Sequence, residues 1–179
     1  GLTYARALRA ILRQDPNVVM IGEIRDLETA EIAVRAAMTG HQVLSTLHTN
    51  SAVNAITRLM DMGVEPYLIA SSLRCVIAQR LVRKVCDHCA EETEPLAEDI
   101  ALLKQHGITE YRLRRGIGCR NCDFTGYRGR LAIHEVLLVD GTLAKLILAR
   151  KTDAEYVEAA LESGMTPMMR DGLTKVAAG

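Results

Sequence analysis

The chain has 179 residues and a balanced charge, with 22 lysines and arginines against 22 aspartates and glutamates, and apolar residues make up 49% of it. This length can bury a core in one domain, or in one domain with a small appendage. Neutral charge, one phenylalanine and no tryptophan argue against nucleic acid as a partner. No apolar run reaches the roughly eighteen residues that a membrane-spanning helix needs, and no secretory signal pattern is present.

Helices and short strands alternate along the first part of the chain. In chain order we predict a helix closed by Asp15-Pro16, a strand over 18–21, a helix over 27–38 with Asp26 as its cap, a strand over 42–46, helices over 51–62 and 66–79, and a short strand at 81–82. This alternation indicates an α/β fold with a parallel sheet of RecA-like character.

An acidic segment, Gly-Glu-Ile-Arg-Asp at 22–26, follows the first strand. Polar residues after a central parallel strand lie at the carboxyl edge of the sheet, where open α/β folds bind their ligands. Glu23 and Asp26 suit a site that positions water and magnesium for nucleotide hydrolysis. For Glu23 the alternative is a surface carboxylate that caps the next helix. Arg25 can stabilise phosphoryl charge, or pair with Asp26 or Glu28.

Two histidines flank the second strand. His48 follows it, so it lies at the same edge as Glu23 if the two strands are parallel neighbours. An imidazole there can hydrogen-bond a γ-phosphate or the attacking water. His41 precedes the strand and is expected at the opposite edge, where a structural role is an equal alternative.

Four of the five cysteines form two C-x-x-C pairs, Cys86 with Cys89 and Cys119 with Cys122. Four thiolates are the number that a closed tetrahedral zinc site requires. Disulfides are the alternative, which a reducing compartment disfavours. Cys75 falls on a predicted apolar helix and is expected to be a small core residue.

The remaining segments predict mostly helices. Between the cysteine pairs we expect a helix over 95–106 and a strand near 111–113. After them we expect a strand or buried segment over 131–139, helices capped by Asp140 and Asp153, and a last helix from Met168. The chain divides on this basis into residues 1–84, 85–123 and 124–179.

Several of these motifs, in this order, resemble the traffic ATPases of type II secretion and type IV pilus assembly. The stretches that carry the resemblance are 1–16, 18–26, 39–50, the cysteine segment and 126–130. The resemblance implies that 18–26 is an atypical Walker B box, with Gly22 where a magnesium-binding aspartate usually stands, and that 39–50 is the His box. No G-x-x-x-x-G-K-[ST] phosphate loop occurs in the chain. We therefore expect the carboxyl-terminal portion of a longer protein, inactive as an ATPase by itself.

For the whole protein the resemblance implies a homo-hexameric ATPase that uses ATP and Mg²⁺, binds Zn²⁺, and lies in the cytoplasm at the inner face of the membrane. Its expected partners are an inner-membrane secretion platform and cytoplasmic adaptor proteins. Glu23 and His48 would be catalytic, and Arg25, Asp26 and His41 would bind the nucleotide and its metal. The expected function is the motor that drives pseudopilus assembly in type II secretion. The alternatives are a type IV pilus assembly ATPase and a zinc-ribbon protein-interaction module without activity of its own.

Overall fold

A computed structural model describes residues 3–179, except for the side chain of Tyr4. In chain order its elements are α1 (Tyr4–Leu12), β1 (Val18–Ile21), α2 (Leu27–Met38), β2 (Gln42–Ser45), α3 (Val53–Asp61), α4 (Pro66–Ser72), β3 (Cys75–Val85), β4 (Ala90–Glu92), α5 (Ala97–Gln105), β5 (Arg114–Gly116), a 3₁₀ turn (Arg120–Cys122), β6 (Tyr127–Leu138), α6 (Gly141–Leu148), α7 (Asp153–Glu162) and α8 (Met168–Ala177).

The chain forms two compact units. The first contains the residues up to Ile77 together with Val136–Met165, and the second contains Ala78–Glu135 and Thr166–Gly179. The predicted division at residues 84 and 123 stays a prediction. Within residues 3–179, no helix is both long and apolar enough to cross a bilayer.

The first unit is built around the parallel pair β1 and β2, in which Val19 lies opposite Val43. Val19 and Ile21 are buried together with Leu8 of α1 and Ala33 of α2. The other face of β1 is open, and its Met20 is 77% exposed. The parallel pairing is therefore as predicted, whereas the strand is buried on one face only.

Two of the three predicted aspartate caps are present. Asp26 Oδ1 accepts a hydrogen bond from Thr29 N at 2.8 Å, and Asp140 Oδ1 accepts one from Leu143 N at 2.8 Å. The cap of α7 is Thr152 rather than Asp153, because Thr152 and Glu155 bond reciprocally as a capping box. Asp153 is the first residue of the helix itself.

The predicted helix over 66–79 ends early. α4 ends at Ser72, and the β-branched residues beyond it enter the long strand β3. β3 pairs with β6, and the bonds from Val139 N to Arg74 O and from Cys86 N to Gly126 O show that the pair is antiparallel. Cys75 starts this strand and is exposed, so the prediction of a core cysteine on a helix is wrong.

The second unit contains the antiparallel pair β4 and β5, with Glu92 opposite Arg114. The strand expected near 111–113 therefore lies a few residues later. α8 is held against β6 by polar contacts, since Lys175 Nζ donates to Ala132 O at 2.9 Å and Glu135 accepts from Met168 N at 3.2 Å. These contacts attach the final helix to the same unit as the cysteines.

Candidate functional site

Glu23 and His48 meet beyond the carboxyl ends of β1 and β2. His48 Nε2 lies 3.2 Å from Glu23 Oε2. The side chain of His48 is 84% exposed, whereas that of Glu23 is only 23% exposed. The structure thus brings together the two predicted catalytic residues, because parallel strands deliver the residues that follow them to one edge.

Thr46 fixes the segment that carries Glu23. Its Oγ1 donates to Gly22 O at 2.6 Å, and its carbonyl oxygen accepts from Ile24 N at 3.1 Å. Glu23 lies between these two bonded residues, so its backbone is held on both sides. Nothing local in the sequence marks this contact, since threonine is also common in strands.

Arg25 also contacts Glu23, with Nε 2.7 Å from Oε2. The Arg25 hydrogen bond and, more weakly, that of His48 keep the pKa of Glu23 below its usual value. The carboxylate is therefore ionised at neutral pH. The partner of Arg25 in this contact is Glu23, which the sequence analysis did not consider, and Glu28 pairs with Arg9 at 2.9 Å.

Asp26 acts as a helix cap. The backbone N–H of Thr29 bonds its Oδ1 and lowers the pKa of the carboxyl. One carboxylate oxygen is therefore engaged in holding α2. A role for Asp26 in nucleotide or metal binding stays a prediction.

His41 lies apart from Glu23 and His48, just before β2. Its Nδ1 is 3.2 Å from Ala36 O and 3.3 Å from Thr39 Oγ1, at the carboxyl end of α2. These contacts match the structural alternative, since a histidine there can bond the last carbonyls of the helix. Its predicted part in nucleotide binding is untested.

Four cysteine sulfurs form a compact cluster in the second unit. All lie within 4.8 Å of one another, and the Sγ–Sγ distances are 4.0 Å for Cys86–Cys119, 3.8 Å for Cys89–Cys122 and 3.8 Å for Cys119–Cys122. All four are free thiols. A tetrahedron with metal–sulfur bonds of about 2.3 Å has edges of about 3.8 Å, so the donor set fits zinc.

The surroundings of the thiols are unequal. The backbone N–H of Cys119 donates to Cys122 Sγ at 3.2 Å and contributes most to lowering the pKa of Cys122 to about 6. Burial raises the pKa of Cys89 to about 12. Zinc ligation requires both as thiolates, so metal affinity depends on pH.

Two glycines shape this cluster, and the sequence analysis did not identify their role. A Cβ on Gly116 would lie 2.0 Å from Gly126 O, and a Cβ on Gly126 would lie 2.5 Å from Gly116 O. Two backbone segments thus cross where no side chain fits. The carbonyl oxygen of Gly126 also accepts a hydrogen bond from Cys86 N. This bond links the place where the two backbone segments cross to the first C-x-x-C pair.

Comparison with known proteins places these features in context. Residues 1–179 match the profile of a family described as type II/IV secretion system protein. The chain is 52% identical over 184 residues to the type IV pilus assembly ATPase PilB of Thermus thermophilus, covering 100% of this chain and 20% of PilB. It is 55% identical over 182 residues to the type II secretion system ATPase E of Vibrio cholerae, covering 99% of this chain and 35% of that protein. The chain thus spans between 20% and 35% of the length of these curated relatives.

Solved structures with the same fold are ATPases. The Legionella pneumophila ATPase DotB aligns with a TM-score of 0.65 at 22% identity, over 99% of this chain and 40% of DotB. The pilus retraction motor PilT, solved with bound ADP, aligns with a TM-score of 0.56 at 26% identity, over 94% of this chain and 42% of PilT. The predicted α/β fold of the RecA-like secretion ATPases, with a tetracysteine group and a helical carboxyl-terminal part, is confirmed.

Proposed function

Because this chain belongs to the family of type II/IV secretion system proteins, we propose that it forms part of the ATP-hydrolysing motor of a bacterial type II secretion system. The observation that carries the proposal is the contact between Glu23 and His48 at the carboxyl edge of the parallel strands. In the longer protein this motor drives pseudopilus assembly and protein export.

In this proposal Glu23 is the general base. Its carboxylate is ionised at neutral pH and can take a proton from the water that attacks the γ-phosphate. Both His48 and Arg25 contact Oε2, which leaves Oε1 to accept the proton. His48 orients the carboxylate and the water, and Arg25, which contacts the same carboxylate, provides positive charge for the phosphoryl group.

The family also implies Mg²⁺, which prefers carboxylate and phosphate oxygens. The carboxylates at this edge that would hold the ion are Glu23, through a water, and Asp26, whose Oδ1 is engaged as the cap of α2. When bound with ATP, Mg²⁺ neutralises charge on the phosphates. The four cysteines would hold Zn²⁺, which would link the two C-x-x-C pairs.

The proposal extends to the assembly. The longer protein acts as a homo-hexamer at the inner face of the cytoplasmic membrane, in contact with an inner-membrane platform and cytoplasmic adaptor proteins. These 179 residues by themselves do not hydrolyse ATP at a useful rate, since they contain no phosphate loop to hold the β- and γ-phosphates.

A type IV pilus assembly ATPase is the second candidate, which the 52% identity to PilB supports. The two candidates differ in what fails when the gene is deleted. Loss of secreted enzymes from the culture medium with pili intact supports the secretion motor. Loss of surface pili with secretion intact supports the pilus motor.

Substitution of Glu23 tests the catalytic proposal in the full-length enzyme. We expect Glu23→Gln to bind a fluorescent ATP analogue normally while phosphate release falls at least about 100-fold, the usual scale for loss of a general base. Glu28→Gln is the matched control, because it removes an exposed ion pair with Arg9 and leaves the edge of the sheet unchanged. Near-normal hydrolysis by Glu23→Gln would assign the base elsewhere.

A further inference from the structure

A chain of polar contacts connects the loop of His48 to α7. Thr49 Oγ1 donates to Ser51 O at 3.0 Å, and Ser51 Oγ donates to Asn54 Oδ1 at 2.7 Å. Ser51 Oγ also accepts from Asn54 N at 3.2 Å, as a capping side chain does. Asn54 Nδ2 then donates to Asp153 Oδ2 at 2.8 Å.

Asp153 binds α3 with both carboxylate oxygens. Oδ2 accepts from Asn54, and Oδ1 accepts from the hydroxyl of Thr57, one helical turn further along α3. The partners are 99 and 96 residues away in sequence, yet all belong to the first unit. Asp153 is half-buried, so loss of its carboxylate would leave two donors without acceptors in a partly dry site.

The loop between β2 and α3 is therefore held at both ends. At the β2 end Thr46 bonds Gly22 and Ile24, and at the α3 end the contacts run through Asn54 to Asp153. His48 lies between these two attachments. The exposure of its imidazole means that backbone placement, rather than side-chain packing, determines where the ring lies.

We infer that Asp153 is a positioning residue for the pair of His48 and Glu23, acting through Asn54 and Ser51. This inference rests on the proposed function, in which that pair acts on the attacking water.

The test uses the full-length enzyme and steady-state ATP hydrolysis. Asp153→Ala removes both acceptors, and Asn54→Asp places two carboxylates against each other. Each variant should lower kcat about 10-fold or more while KM for ATP changes less than about twofold, because misplacement of a reacting group affects the chemical step.

The double variant Asn54→Asp with Asp153→Asn should rescue activity. The amide introduced on α7 then donates to the carboxylate introduced on α3 while its oxygen accepts from Thr57, and the Ser51 hydroxyl keeps an acceptor. We expect kcat within about threefold of the parent enzyme. A role in stability alone would lower the melting temperature of the single variants and leave the kcat of the folded enzyme unchanged.

Ser163→Ala is the matched control. It removes the 2.8 Å bond from Ser163 Oγ to Asp140 Oδ2, at the other end of α7, and does not touch α3. We expect a lower melting temperature with kcat unchanged within about twofold. An equal loss of kcat in this control, an unchanged kcat in folded Asp153→Ala, or no rescue by the double variant would each overturn the inference.

Glu23→Gln, measured in parallel, separates this inference from the proposed function. If Glu23→Gln is inactive and Asp153→Ala hydrolyses ATP normally, only the positioning role fails. If Glu23→Gln hydrolyses ATP normally, the proposed catalytic role of Glu23 fails, and the positioning role of Asp153 fails with it.

Discussion

Removal of the metal from the tetracysteine site should unfold the second unit and leave the first unit folded. The second unit has little other core. Its buried hydrophobic residues are three of the cysteines together with Leu103 and Ala177. The first unit, in contrast, buries Ile56, Ile69 and many further apolar side chains, so its stability does not depend on a metal.

Zinc binding should contribute more to the stability of the second unit than the burial of its apolar side chains. Full burial of a leucine-sized side chain contributes about 1.5–3 kcal/mol, and the methyl group of an alanine contributes less. Structural zinc in small tetrahedral sites provides about 10–16 kcal/mol of apparent binding free energy at neutral pH. Three of the six sulfur–sulfur distances are 3.8–4.0 Å and none exceeds 4.8 Å, so little of that free energy is lost to rearrangement.

Hydrogen exchange and elemental analysis provide the assay. The purified chain should contain about one zinc, and a strong chelator should raise amide exchange in β4, β5 and the 3₁₀ turn while α2 and α3 stay protected. Cys122→Ser should lose the metal. Cys75→Ser, which alters the exposed cysteine outside the cluster, should retain it. Metal-free protein with full protection of β4 and β5 would refute the reasoning.

Three further predictions concern single side chains. In the full-length enzyme His48→Ala should lower kcat with little change in nucleotide affinity, because this imidazole contacts Glu23. His41→Ala should instead lower the melting temperature, and an equal loss of kcat in both variants would contradict the edge-based assignment. Hydrogen bonds from Lys151 and from Thr152, the cap of α7, lower the pKa of Glu155 to about 2. The ionised carboxylate therefore stabilises the folded state above pH 4.5, and this stabilisation is lost as the pH falls towards 2. Glu155→Gln should therefore be less stable than the parent in urea at pH 7, and the difference should vanish near pH 2; a difference that persists there would exclude this cause. Gly116→Ala should lower zinc content and increase exchange in β5, because the added methyl would meet a backbone carbonyl oxygen; an unchanged metal content would show that the crossing can relax.

Features set by neighbouring residues were predictable from the sequence. The two short strands, the cap at Asp26 and each C-x-x-C pair depend on patterns a few residues long. The clustering of the four cysteines followed from the number of thiolates that a zinc site requires. The contact of Glu23 with His48 needed one additional rule, that parallel strands end at one edge. These parts of the fold and site therefore agree with the sequence analysis.

Features set by distant residues were not predictable. β3 replaces the end of a predicted helix because its partner β6 begins more than 40 residues later and supplies the hydrogen bonds. Asp153 reads as a helix cap in isolation, and only the folded chain brings α3 to its carboxylate. The close approach of the Gly116 and Gly126 backbones was not predictable for the same reason, since a glycine in the sequence does not show which backbone segment lies against it.

The hydrogen bonds of Thr46 have a second consequence, because β1 carries apolar residues on both of its faces. A hydrophobic pattern that is alike on both faces does not fix the frame in which a strand pairs, since a slip of one residue exchanges one apolar set for the other. The frame is fixed beyond the strand, where Thr46 bonds Gly22 and Ile24. The segment that presents Glu23 thus also selects which side chains of β1 enter the core.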